Sequence, residues 1–137
     1  MTVIVIDVHK PSLQRLGYTG LQDWLDRPPA GELHVYIGRE VRYCPAAVRS
    51  VLANDNYCAT DADRPESIRR YEADLQARPD ALREIARLKT LASDGTVIIL
   101  GCWCCPKACH GDVLARLIGG SPSPGPSVVC FDQRAPF

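Results

Sequence analysis

Apolar residues along the chain follow two rhythms. Val3-Ile4-Val5-Ile6 is an unbroken β-branched run closed by Asp7, the pattern of a strand covered on both faces. After Pro11, residues Leu13, Leu16, Leu21, Trp24 and Leu25 recur at helical spacing around Gly17, which predicts two short helical pieces. Pro28-Pro29-Ala30-Gly31 is a loop, and Leu33 to Ile37 is a second short strand ending at Gly38-Arg39. From Glu40 to Ala62 the pattern is weakest; it predicts a short helix around Ala46 to Leu52 and then the polar turn Asn54-Asp55-Asn56.

The second half is clearer. Asp63-Arg64-Pro65-Glu66 has the form of a helix start, with an N-cap, a first-turn proline and an acid, and Ile68, Tyr71 and Leu75 give that helix an apolar face. Pro79 breaks it and opens another, with Leu82, Ile85, Leu88 and Leu91 on one side. Gly95 ends that helix, and Thr96 to Leu100 is a third strand running straight into Gly101-Cys102-Trp103-Cys104-Cys105-Pro106. A last helix buries Val113, Leu114, Leu117 and Ile118 and stops at Gly119-Gly120.

Strands alternating with helical segments predict an α/β fold: one small Rossmann-like domain over residues 1–118, with a mainly parallel sheet of three to five strands flanked by helices. Residues 119–127, rich in Ser, Pro and Gly, read as a linker, and 128–137 as a tail or edge strand. In a parallel sheet, ligands sit beyond the carboxyl ends of the strands. His9-Lys10, Gly38-Arg39 and the cysteine cluster each follow one of these ends, so the site is expected there.

Composition narrows the function. The chain has 137 residues, 46% hydrophobic and 23% charged, which suits one core and excludes a disordered chain. Lys+Arg and Asp+Glu number 16 each, so nucleic acid is not expected as the main partner. The start lacks a basic leader, and the longest apolar run, Thr96 to Cys105, is interrupted by Gly101, so neither secretion nor a membrane span is expected. Seven cysteines are an odd number. In a chain that reads as cytoplasmic they are expected to be thiols.

Packing explains Cys44, Cys58 and Cys130 well enough, but not the series Cys102-x-Cys104-Cys105-x₃-Cys109-His110. Along an extended chain Cys102 and Cys104 share one face, while Trp103 and Cys105 share the other. One reading is thiol catalysis, with Cys104 or Cys109 as nucleophile at a helix start and His110 as base. A phosphatase is disfavoured, because the place six residues after Cys104 holds His110 rather than arginine. Another reading is zinc on Cys102, Cys104, Cys109 and His110, although four ligands within nine residues bend the chain tightly. A third is a cysteine-lined pocket for a small anionic or nucleotide-like ligand. Gly38, Arg39, Asn54, Cys102 and Trp103 would contribute to it, and Asp112 would orient His110 or stabilise the first helical turn. The cofactor expectation is therefore none or zinc.

Two motifs carry a resemblance. Val35-Tyr36-Ile37-Gly38-Arg39 and Gly101-Cys102-Trp103-Cys104-x-Pro106-x-x-Cys109-His110-Gly111-Asp112-Val113-Leu114 resemble the family of domain of unknown function 4326, whose members occur in bacteria and their phages. The Asp63 to Leu75 segment with Tyr71 is similar to that family's central helix, and Leu16-Gly17-Tyr18 with Trp24-Leu25 to upstream segments of phage-encoded members. The resemblance spans about residues 3 to 118. Where family members carry Gly-Asn-Pro-Phe, this chain has Leu52-Ala53-Asn54-Asp55-Asn56-Tyr57, and Cys105 stands where other residues are common. The resemblance implies a fold and a site but no activity. It also admits a phage-encoded protein that binds a host factor while its own site stands idle, with Glu40–Asp61 and the proline-rich end as contact surfaces.

Overall fold

The computed structural model describes residues 1–56, 60–103 and 109–119, together with the backbone of 130 and 131. β1 is Thr2–Asp7, β2 Glu32–Tyr36, β3 Val97–Cys102 and β4 Cys130–Phe131. They form one sheet in the order β2-β3-β1-β4, and every pairing is parallel. Helices fill the crossovers: α1 (Lys10–Arg15) and α2 (Leu21–Asp26) before β2, α3 (Arg64–Leu75) and α4 (Pro79–Ser93) before β3, and α5 (His110–Gly119) after it.

Strand alternation divides the apolar residues between two cores. Val3 and Val5 of β1 and Ile98, Leu100 and Cys102 of β3 face α3, α4 and α5, where Tyr71, Leu75, Leu88, Leu114 and Ile118 are buried against them. Ile6 and Val8, Tyr36 and Ile99 point the other way, onto Leu13, Leu21, Trp24, Cys44 and Ala47. Both faces are thus covered, as the continuous Val/Ile run of β1 requires. Trp24 lies across Gly101, where a Cβ would stand 2.8 Å from the indole and 2.6 Å from Val8 Cγ1, so only glycine fits this strand position.

Register brings the strand ends level. Asp7 pairs with Cys102 and Tyr36 with Gly101, so the three main strands end at one edge of the sheet.

Several sequence expectations are corrected. No helix forms at Ala46–Leu52. That segment is a chain of tight turns, with Cys44 N–H on Val41 O, Ala47 N–H on Cys44 O and Ser50 N–H reaching back to Gly38 O. Pro45 and the β-branched Val48 and Val51 suit turns better than a helix. Leu82 and Leu16 are exposed rather than core-facing. The inward face of α4 runs instead through Ala81, Ile85, Leu88 and Ala92, because α5 packs on it closely enough to favour small residues. Asp63 makes no side-chain cap; a short 3₁₀ turn, Asp61–Asp63, leads into α3. Cys44 is a buried packing residue. Cys58 and the 120–129 stretch lie outside the described residues, as do the side chain of Cys130 and the tail beyond Phe131.

Candidate functional site

The ends of β2 and β3 open into a cleft of about 360 Å³, lined by Tyr36, Gly38, Arg39, Asn54, Ser67, Cys102, Trp103, Cys109 and His110 among others. Six of the residues singled out from sequence as ligand contacts or catalytic candidates that fall in the described part, Gly38, Arg39, Asn54, Cys102, Trp103 and Cys109, therefore share one wall system with His110. Cys104 and Cys105 lie outside the described residues. Asp112 is not on the cleft.

The two motifs interlock through hydrogen bonds. Trp103 Nε1–H donates to Tyr36 Oη at 2.8 Å, and Tyr36 O–H donates to Arg39 O at 2.5 Å. The phenol folds over Gly38, where a Cβ would lie 2.4 Å from the hydroxyl oxygen. Ile37 N–H is held by Gly101 O, and Ile37 O accepts from His110 Nε2 at 2.8 Å. Burial raises the Tyr36 pKa, partly offset by the Trp103 bond, so the phenol stays neutral.

Cys109 and Asp112 open α5 as a capping box. Asp112 Oδ2 accepts the Cys109 N–H at 3.1 Å, while Cys109 Sγ accepts the Gly111 N–H at 3.3 Å. Asp112 thus has a capping role, and its contact is with the Cys109 backbone. Burial raises its pKa, opposed by that hydrogen bond. Cys102 reaches the same point from β3, and its sulfur stands 3.0 Å from that of Cys109.

His110 follows at the first helical position. A carbonyl can only accept, so Nε2 carries the proton and Nδ1 keeps a lone pair. Burial lowers its pKa; the Ile37 bond opposes this, and the charges of Arg39 and Arg78 add to the lowering. Tyr71 of α3 sets its edge against the imidazole at 5.0 Å and donates its hydroxyl to Leu52 O at 2.6 Å.

Asn54 is present on the cleft, but its amide serves the loop. Nδ2 donates to Ser67 Oγ at 3.0 Å, and Oδ1 takes the Asn56 N–H at 2.9 Å, an Asx turn. Arg39 is different. Its single hydrogen bond is a long one, 3.4 Å from Nη2 to Asn54 O, and no carboxylate lies within ion-pair distance of it among the described residues. As for zinc, no group of three His, Cys, Asp or Glu side chains is arranged to hold a metal among the described residues.

Sequence reasoning missed Tyr36, Ser67 and Tyr71 as builders of the site. Tyr36 was visible inside the first motif, yet its partner sits 67 positions away. Asp7, at the end of β1, accepts from His9 N–H, His9 Nδ1 and Ser12 Oγ. Burial would raise its pKa, but these bonds outweigh it and lower the value. The His9 ring stands edge-on to Trp103, 4.8 Å between centroids. Trp103 consequently separates the cleft from a second hollow of about 560 Å³ lined by His9, Lys10, Gln22, Tyr43 and Cys44.

Fold and site together define a small α/β domain with a thiol-lined cleft at the carboxyl edge of a parallel sheet. The family model described as Domain of unknown function (DUF4326) matches residues 26–120, and the chain belongs to that family. No curated protein and no solved structure matches it. No helix among the described residues is long and apolar enough to cross a membrane.

Proposed function

We propose that the cleft binds a small anionic, nucleotide-like ligand, with a phosphate on Arg39 and a planar group against Trp103 and Tyr36. The observation that carries this reading is the Arg39 guanidinium, which lines the cleft without a carboxylate partner among the described residues. Arginines elsewhere, such as Arg27, Arg69 and Arg116, close on Asp23, Glu66 and Glu72. A guanidinium left for a ligand offers a planar fork that matches phosphate oxygens. The reading takes the parallel sheet as a Rossmann-like scaffold with its ligand beyond the strand ends. Any processing of the ligand would draw on the Cys109 thiol, with His110 Nδ1 as proton acceptor.

Thermal unfolding of the whole chain tests it against a nucleoside diphosphate, the uncharged nucleoside and inorganic phosphate. The diphosphate is expected to raise Tm in a concentration-dependent way, corresponding to about 2.7 kcal/mol at a hundredfold excess over Kd. The nucleoside should do far less, and Arg39→Ala should abolish the difference between them. No shift with any of the three at millimolar concentration, or an undiminished shift in Arg39→Ala, overturns the proposal.

A further inference from the structure

We propose that Cys102 and Cys109 are a redox dithiol, converted by hydrogen peroxide to a disulfide that ties the end of β3 to the start of α5. The two sulfurs are 3.0 Å apart and come from different elements, so the pair is made by the fold and not by sequence proximity. Both side chains are buried, at 1% and 3% exposure, yet both line the cleft. Sulfurs this little exposed favour a small oxidant such as peroxide over a bulky disulfide. Closing to a disulfide bond of about 2.0 Å asks for a movement of about 1 Å.

The two sulfurs have distinct parts. Cys109 Sγ accepts the Gly111 N–H in the first turn of α5, an environment suited to the attacking sulfur. As it gives up its proton, Cys109 Sγ attacks one peroxide oxygen; an S–O bond forms, the O–O bond breaks, and the departing hydroxide takes up the proton that Cys109 released to become water. The resulting Cys109 sulfenic acid is then attacked by the sulfur of Cys102. The S–S bond forms, the S–O bond breaks, and hydroxide leaves with the Cys102 proton as a second water. Two thiols lose two electrons in all, and one peroxide is reduced to two waters. Cys44 is a built-in control, because it lies on the opposite face of the sheet and donates to Gln22 Oε1 at 3.4 Å.

The test uses the full chain carrying Cys104→Ser and Cys105→Ser, so that the tryptic peptide 90–107 keeps Cys102 as its one cysteine and peptide 108–116 carries Cys109. Reduced protein is treated with a small excess of peroxide, alkylated in denaturant and mapped by mass spectrometry, with circular dichroism as a check on folding. The expected result is a cross-link between these two peptides, 2 Da lighter than their sum (two hydrogens lost), reversed by dithiothreitol, with Cys44 still alkylated. Cys102→Ser in the otherwise natural sequence should stop at a sulfenic acid on Cys109, trapped by dimedone. Full alkylation of Cys102 and Cys109 after peroxide overturns the proposal. So does wild-type protein that cross-links Cys109 to Cys104 or Cys105 instead. Purified protein whose two sulfurs resist peroxide until a stoichiometric metal is chelated away overturns it too, since they would then be ligands.

Discussion

Trp103 Nε1–H donates to the hydroxyl of Tyr36 at 2.8 Å, across the sheet from the end of β3 to the end of β2. Because that hydroxyl in turn donates to Arg39 O, one phenol fixes both an aromatic wall of the cleft and the backbone that carries its cation. Tyr36→Phe keeps the ring but strands a donor and an acceptor. It is expected to cost about 1–3 kcal/mol in urea unfolding and to shift tryptophan fluorescence. A variant within about 0.5 kcal/mol of wild type would show that the relay does not hold the site.

Glycine substitutions within α5 separate helix propensity from packing. Alanine normally gains about 0.5–1 kcal/mol over glycine inside a helix. At Gly111, however, a Cβ would meet Val5 Cγ1 at 2.9 Å, Ile37 Cδ1 at 3.1 Å and Cys109 Sγ at 3.2 Å. Gly111→Ala is therefore expected to be destabilising by about 1–3 kcal/mol. At Gly119 the nearest atom is Val3 Cγ2 at 3.6 Å, so Gly119→Ala should be neutral or slightly stabilising. Denaturant midpoints of the two variants decide it; equal effects would remove the packing argument.

These positions also show what could be read from the chain alone. The β-branched run of β1, the Thr96–Leu100 run and the first-turn prolines of α3 and α4, Pro65 and Pro79, are local signals, and they located the elements and the sheet edge onto which the cleft opens. The Ala46–Leu52 segment reads as a helix from sequence, whereas the Asn54–Asn56 turn is legible there. The order of the former comes from distant groups, since Tyr71 holds the Leu52 carbonyl, Arg78 that of Val51, and Gln22 Oε1 takes the Ala46 N–H. No periodicity records such bonds. The same holds for the pairing of Cys102 with Cys109. Spacing marked both as unusual, but only the packing of α5 on β1, β3, α3 and α4 sets which sulfurs meet.

His110 should give the protein a pH-sensitive stability. In an unfolded chain imidazole titrates near pH 6.5. In the folded chain burial lowers the value, opposed by the Ile37 bond and reinforced by Arg39 and Arg78. Between the two values the unfolded chain binds more protons, so stability rises with pH there. The contribution is fully present above about pH 6.5 and is lost as pH falls through the folded value. Wild type is expected to lose more of its urea midpoint between about pH 7.5 and 5.5 than His110→Gln, whose amide can still donate to Ile37 O. Parallel pH profiles would assign the acid sensitivity to other groups.

Arg78 should govern the local opening of the loop that forms one rim of the cleft. Its Nη1 donates to Ala53 O at 3.0 Å and its Nη2 to Val51 O, while Tyr71 holds Leu52 O between them. Three consecutive carbonyls thus depend on side chains from α3 and the α3–α4 junction. Hydrogen bonds from a charged donor contribute about 1.5–3 kcal/mol in total effect, and each 1.4 kcal/mol is a factor of ten in an opening equilibrium. Arg78→Ala is therefore expected to speed native-state tryptic cleavage after Arg49 by roughly tenfold or more while circular dichroism is retained. Arg78→Lys, a point charge that cannot span two carbonyls, should fall between. Cleavage after Arg49 at the wild-type rate in Arg78→Ala would mean that the loop is held by Tyr71 and the Asn54 turn alone.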